Sequence, residues 1–409
     1  MTQRSLANVL WVVCVSTLYF AALFWATTAS APAAAAVPLR LGIVLPLTGP
    51  MSDVGNSALI GAKVAVQEIN SVGGYMGRPL ELVVQDDESN PETGARAMDK
   101  MIRDSGVIAT LGACNTAVAI RMGEVAQAKK HPFIVTCATG STITSRYPTA
   151  QSYIFRTSAS SQIQAQFLVN DIVRSKLHKV ALLLDSSPYG DAGLTDLQAA
   201  MAKVGLKPKV VMRFDLGVKS LEKEMRELKA SGADGLIAWT VGTEEGVVAA
   251  GRAAAGWQVP QYGAWDASNL SAYIASNGRI DGALMVQTVL PNRSLERNSA
   301  FLTAYSKFSR ERPMGSMMSS AQTYDGVQLL MRAIFSAKGD IAGPALKASL
   351  ENLGGVYRGV VTTYDRPFST RDHEALSINM LWMGTWRGGD RAYLYEEDEK
   401  RASVIRVKR

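Results

Sequence analysis

Residues 39–47 read LRLGIVLPL, and residues 48–74 continue as TGPMSDVGNSALIGAKVAVQEINSVGG. The first run is apolar without alternation, the pattern of a parallel strand buried on both faces. Pro46, Gly49 and Pro50 end it. Asn56 reads as the cap of a helix running to Asn70, with Ala62, Val66 and Ile69 along one side and Gly73-Gly74 as its stop. A buried strand, a turn and a helix that packs back on it form the first unit of a doubly wound sheet. The two prolines behind the strand fit a phosphate cradle badly, so a nucleotide is not expected there.

The unit repeats. LELVVQ (80–85), IATLGA (108–113) and FIVTCA (133–138) read as further strands, with helices from Asn90-Pro91-Glu92 and over 116–129 between them. Asn90 is a cap, Pro91 suits the first helical position, and Glu92 complements the helix dipole. The alternation breaks after Phe155-Arg156 and restarts. Helix 160–175 leads to strand 179–184, helix 190–203 to strand 208–214, and helix 219–230 to strand 234–239. Helix 244–255 and short strands near 261–264 and 282–287 follow, then long helices over 295–311 and 319–336, and strands near 358–364 and 378–385. Two such series predict two doubly wound sheets, and 409 residues suit two or three domains.

Residues 9–26, VLWVVCVSTLYFAALFWA, carry no charge; Arg4 precedes them and Ala34-Ala35-Ala36 closes an Ala-rich stretch. That order is a secretory signal with cleavage after Ala36. The apolar run is also long enough to stay as a membrane anchor. Cys14 lies inside it, away from any lipid-attachment site. Arg4 is the only charged side chain before residue 37, so the remainder carries 42 basic against 36 acidic residues, a surplus of six. These charges are scattered, whereas nucleic-acid binding needs them clustered on one face. The densest group, Arg401, Arg406, Lys408 and Arg409, reads as a solvated tail. Cys114 and Cys137 are the cysteines left after cleavage. With the usual sheet order they end neighbouring strands, and in an oxidising compartment they could pair.

Signatures of catalysis and cofactor binding are absent from the sequence. There is no GxGxxG, GxxxxGK[ST] or GxSxG, and no CxxC, HExxH or HxH, so neither a nucleotide fold motif, a nucleophile elbow nor a dedicated zinc site is expected. His131 and His178 read as turn and loop residues, and His373, in TRDHE, as a surface residue. No cofactor, metal or enzymatic activity is expected.

LRLGIVLPLTGP, with GAKVAVQEINSVGGYMGRPLELVVQDDESNPETGARAMDKMI, SPYGDAG and TYDG, resembles the extracytoplasmic solute-binding proteins of branched-chain amino-acid ABC importers, from about Leu39 to about Trp386. The resemblance implies an α/β fold of two Rossmann-like doubly wound lobes joined by three crossings, with ligand in the cleft. It places lobe one at 38–156 plus 288–370 and lobe two at 157–287 plus 371–409.

Ligands of open α/β sheets sit beyond the carboxyl ends of the strands. Three segments there match the family's binding positions. Asn115-Thr116 open a helix, whose positive N-terminal end suits a carboxylate, the alternative being that Thr116 merely caps that helix. Cys137-Ala138-Thr139 supply a second hydroxyl. Tyr189 matches the aromatic that the second lobe lays on the ligand, or it merely packs at a helix start. Two departures bear on the cargo. The carboxylate that pairs a ligand ammonium in amino-acid binders aligns with Trp265, with Asp266 one place later; Glu245 or its neighbour Glu244 could substitute. Val54 replaces an aromatic of the first loop.

The expected protein is a periplasmic, monomeric, non-catalytic binding protein. It closes two lobes on a small carboxylate-bearing solute and hands it to an ABC permease with its ATPase. The cargo ranks as an aromatic or other non-amino acid first and a branched-chain amino acid second. The rival is a sensory module of the same fold, with an uncleaved apolar segment or a stable dimer.

Overall fold

Continuous apolar runs form the inner strands of two sheets in the computed structural model, which describes residues 36–310 and 312–408. The signal segment expected over residues 1–36 lies outside the described residues apart from Ala36. In the first sheet β1 (Leu39–Leu45), α1 (Ser52–Ser71), β2 (Leu80–Asp86), α2 (Pro91–Asp104), β3 (Thr110–Gly112), α3 (Thr116–Lys129), β4 (Phe133–Val135), the single turn α4 (Thr142–Ser145) and β5 (Ile154–Arg156) follow one another. All five strands are parallel, in the order 2-1-3-4-5.

The chain then crosses to the second sheet. It runs through α5 (Ser161–Arg174), β6 (Val180–Asp185), α6 (Pro188–Lys203), β7 (Val210–Phe214), α7 (Glu222–Ala230), β8 (Gly235–Trp239), α8 (Gly242–Ala254), β9 (Gln261–Gly263), α9 (Leu270–Ser276) and β10 (Leu284–Gln287). It returns to the first body as α10 (Glu296–Ser309), α11 (Met317–Ser336), α12 (Gly343–Glu351) and the antiparallel pair β11 (Val356–Arg358) and β12 (Thr363–Asp365). A third crossing delivers β13 (Trp382–Arg387), β14 (Asp390–Tyr393) and the short α13 (Glu396–Lys400). The second sheet has the order 14-13-10-9-8-6-7, antiparallel only at β13 and β14. The molecule is therefore an α/β fold of two doubly wound lobes.

Helix α11 lies along α1 so closely that a Cβ on Gly61 would stand 2.1 Å from the Ser320 carbonyl oxygen. Buried Asp325 in α11 accepts from Val360 N at 2.8 Å, Val361 N at 2.9 Å and Tyr364 Oη at 3.0 Å, which ties the β11–β12 hairpin to the first lobe.

Several local readings need correction. Helix α1 starts at Ser52, so Asn56 is not its cap; its amide instead donates to Leu47 O and Ser52 O. The stretch read as one strand near 358–364 is a hairpin, and the strand read from 378 begins at Trp382 after a short 3-10 turn. Two members of the basic tail, Arg406 and Lys408, are clamped rather than solvated, whereas Arg401 is exposed and Arg409 lies outside the described residues. Arg406 lies over the Trp382 ring and donates to Asn379 O and Leu381 O, and Lys408 pairs with Asp372. His373 is buried, stacked on Phe155 with one ring nitrogen 2.8 Å from Ile154 O and the other 3.1 Å from Glu351. Its ring fills a site between elements that lie far apart in sequence.

His131 is buried as well, with Nε2 3.0 Å from Thr110 Oγ1, and burial holds its ring down to about 4. A histidine that stays neutral when folded but charges when unfolded stabilises the fold above about pH 6.5. That stability is lost as pH falls from there toward 4, on the order of 3 kcal/mol. Denaturant unfolding at pH 7 and at pH 4.5 should show a larger loss for the wild type than for His131→Gln. Equal losses would contradict it.

Candidate functional site

Residues from six strand ends meet between the lobes. Met51 follows β1, Cys114, Asn115 and Thr116 follow β3, and Thr139 follows β4; Tyr189 follows β6, Val241 follows β8, and Trp265 and Asp266 follow β9. Together they line a narrow cavity of about 10 Å³, far below the roughly 300 Å³ at which pockets for drug-sized ligands begin. Both sheets reverse winding here, between β1 and β3 and between β6 and β8, where open α/β sheets leave a crevice.

Local chemistry sets each side chain. Asn115, in extended conformation, caps α3 by accepting from Ala117 N and Val118 N. Thr116 is thus released from capping: its Oγ1 accepts from Gly140 N at 3.3 Å, and its own proton can point to a ligand. Ser187 caps α6 by accepting from Tyr189 N and Gly190 N, which turns the Tyr189 ring inward against Trp239. Beyond β9, Ala264 is extended and a 3-10 turn begins, so the consecutive residues Trp265 and Asp266 both face the cavity. Gln164 Oε1 accepts from Trp265 N at 3.1 Å and fixes that turn.

The wall contains polar atoms without partners, which is costly in a buried place. Among the described residues Thr139 Oγ1, Tyr189 Oη and Trp265 Nε1 are buried and make no well-aligned hydrogen bond. Asp266 accepts from Asn269 Nδ2 at 3.2 Å, and the Tyr189 hydroxyl faces it. No cation pairs with Asp266 among the described residues. Burial pushes its carboxyl well above the usual range, and the charges of Asp185 and Asp53 push the same way. Glu245 behaves alike, raised first by burial and then by Asp266.

The lobes close over this space. Leu270 N donates to Gly315 O at 2.8 Å and Ser271 N to Asp53 Oδ2 at 3.3 Å, while Arg391 donates to Ser268 O and to Gly315 O.

Six of the nine residues singled out in sequence, Asn115, Thr116, Thr139, Tyr189, Trp265 and Asp266, share the cavity wall. Three do not. Cys137 is bridged to Cys114 behind the wall, Ala138 is buried beneath it, and Glu245 lies under Gly263, where an added Cβ would stand 3.2 Å from its Oε1. Val54 is buried in the core and does not line the cavity. Met51, Cys114 and Val241 escaped sequence reasoning, although each obeys the same rule of lying just past a strand end. Among the described residues no group of His, Cys, Asp and Glu is placed to hold a metal ion, and no helix is long and apolar enough to cross a membrane.

The sequence profile of the periplasmic binding protein family matches residues 38–390. A Leu/Ile/Val-binding protein homolog of Brucella melitensis is 28% identical over 262 residues, covering 64% of this chain and 70% of that one. Other Leu/Ile/Val-binding relatives are matched over about half of their length. Two solved structures share the fold. One is the branched-chain amino acid transporter substrate-binding protein LivJ of Streptococcus pneumoniae with isoleucine, at TM-score 0.75 and 21% identity, covering 87% of this chain and 97% of that one. The other is a solute-binding protein of an R. palustris ABC transporter with 4-hydroxybenzoate, at TM-score 0.75 and 18% identity, covering 87% and 95%.

Proposed function

The chain belongs to the periplasmic binding protein family, and from that premise we propose that it is the periplasmic solute-binding component of an ABC importer whose cargo is a small α-amino acid. The observation that carries this reading is Asp266: a buried carboxyl in the cavity wall with no cation opposite it among the described residues. A ligand ammonium supplies that cation. The ligand carboxylate then falls to the Thr116 and Thr139 hydroxyls and the N-terminal end of α3, on the opposite lobe. One ligand thereby bonds both lobes, and closure is stabilised by contacts that neither lobe makes alone.

The apolar wall of Met51, Val241, Trp265 and Cys114 suits an aliphatic side chain. The unpartnered Trp265 Nε1 and the Tyr189 ring favour a second reading, a hydroxylated aromatic acid. The closed form is recognised by a permease with its ATPase, and the protein works as a monomer without turnover. A sensory module of the same fold would instead form a stable dimer or keep its apolar N-terminal segment.

Calorimetric titration with leucine and with 4-hydroxybenzoate separates the cargoes, and failure of both sinks the reading. Thr116→Ala should weaken binding of whichever ligand wins by about 1–3 kcal/mol, because a buried ligand oxygen loses its donor. Unchanged affinity would reduce Thr116 to a link to Gly140.

A further inference from the structure

We infer that the Cys114–Cys137 bridge is a positioning element of the ligand site, and that opening it weakens ligand binding while the lobes stay folded. The inference rests on the cavity being the cargo site. The bridge joins the ends of adjacent strands β3 and β4, with Cα atoms 4.5 Å apart. Each cysteine directly precedes a turn that reaches the cavity: Cys114 leads into Asn115-Thr116, and Cys137 into Ala138-Thr139. Cys114 itself is part of the wall.

The backbone at this point is not one that a chain adopts freely. Gly112 has φ +128° and Ala113 φ +57°, a left-handed conformation that a side chain disfavours. It turns the chain sharply before the helix. The bond from Ala138 N to Ala113 O, at 2.9 Å, and that from Gly140 N to Thr116 Oγ1 tie the same two turns together. Three links thus fix the spacing of the two hydroxyl-bearing turns, and one of them is covalent. Preorganised contacts bind more tightly because the ligand need not order them.

Opening the bridge takes a dithiol reductant. Its thiolate attacks one sulfur and the Sγ–Sγ bond breaks. Two electrons and two protons pass to the cysteines, and the reductant leaves as its cyclic disulfide.

The experiment compares oxidised and dithiothreitol-reduced wild-type protein by titration with leucine, and with 4-hydroxybenzoate if leucine is not bound, at a temperature where circular dichroism shows both forms folded. Reduction should weaken binding by on the order of tenfold. Cys114→Val/Cys137→Val, which refills the volume without the link, should bind as weakly as the reduced form. Saturating ligand, which covers Cys114, should slow reduction severalfold. A purely structural bridge would lower the melting temperature but leave affinity and protection unmoved. Equal affinity of oxidised and reduced protein overturns this inference and leaves the proposed function standing. A wild-type protein that binds neither probe overturns both.

Discussion

Asp266→Asn is expected to lower leucine affinity by about a hundredfold or more. Truncating one partner of a buried charge pair costs about 2–5 kcal/mol, because the other charge is left in a dry cavity. Asn keeps the shape and the contact with Asn269 but removes the negative charge. The ammonium then has only the Tyr189 hydroxyl and amide oxygens near it. The ligand-free variant should melt higher than the wild type, since a carboxyl that burial and like charges disfavour is gone. Affinity for 4-hydroxybenzoate should hold or rise, because a neutral ring brings no cation. Titration of both ligands against both proteins reads all three effects. Leucine binding that survives the substitution within a factor of three would remove Asp266 from the amino-acid role and return the choice to Trp265 and the aromatic acid.

The lobes were legible in the sequence because buried parallel strands are written as unbroken apolar runs, and VALLL or LIAW needs no distant partner to be recognised. Site positions on lobe one were legible for a related reason. They follow strand ends, and Asn115 and Thr116 carry capping chemistry that local sequence declares. On lobe two the sequence offered Trp265 at the aligned position and Asp266 one place later. An alignment assigns one position to one role, whereas the 3-10 turn after Ala264 presents two successive side chains to the same space. Residues whose meaning lies in a distant partner were not legible. His373 sits in a polar stretch yet fills a hole made by Phe155, Ile154 and Glu351. The tail reads as a run of charge until Trp382 and Asp372 arrive beside it. Met51 and Val241 are ordinary apolar residues until two sheets face each other.

Arg156 belongs to the same class and should have the largest effect on stability. It ends β5, where the first crossing leaves lobe one, and its side chain is 1% exposed. Nε donates to Glu374 Oε2 at 2.7 Å, and Nη1 donates to Thr139 O at 3.0 Å and Gly140 O at 2.8 Å. Its backbone pairs with the third crossing, through Arg156 N to His373 O at 2.9 Å and Ala375 N to Arg156 O at 2.8 Å. One guanidinium thus holds two crossings side by side and anchors the Thr139 turn of the cavity. Arg156→Met removes the cation that pairs with Glu374 and one of two donors to each of the Thr139 and Gly140 carbonyls, which keep Ser161 N and Ile143 N. Breaking a fully buried ion pair from one side costs about 3–5 kcal/mol; with Glu374 half-buried the cost is at most that, and the melting temperature should fall by several degrees, about 5–10 °C. Glu374→Gln in the Arg156→Met background should recover part of that loss, because the stranded charge is removed with its shape kept. Ligand affinity should fall as well, and that loss should persist in the double variant, since the Thr139 turn still lacks the guanidinium. A melting temperature within 2 °C of the wild type would mean that the crossings and the turn hold their places without the guanidinium. Recovery of stability together with full affinity would mean that Arg156 serves the fold and not the site.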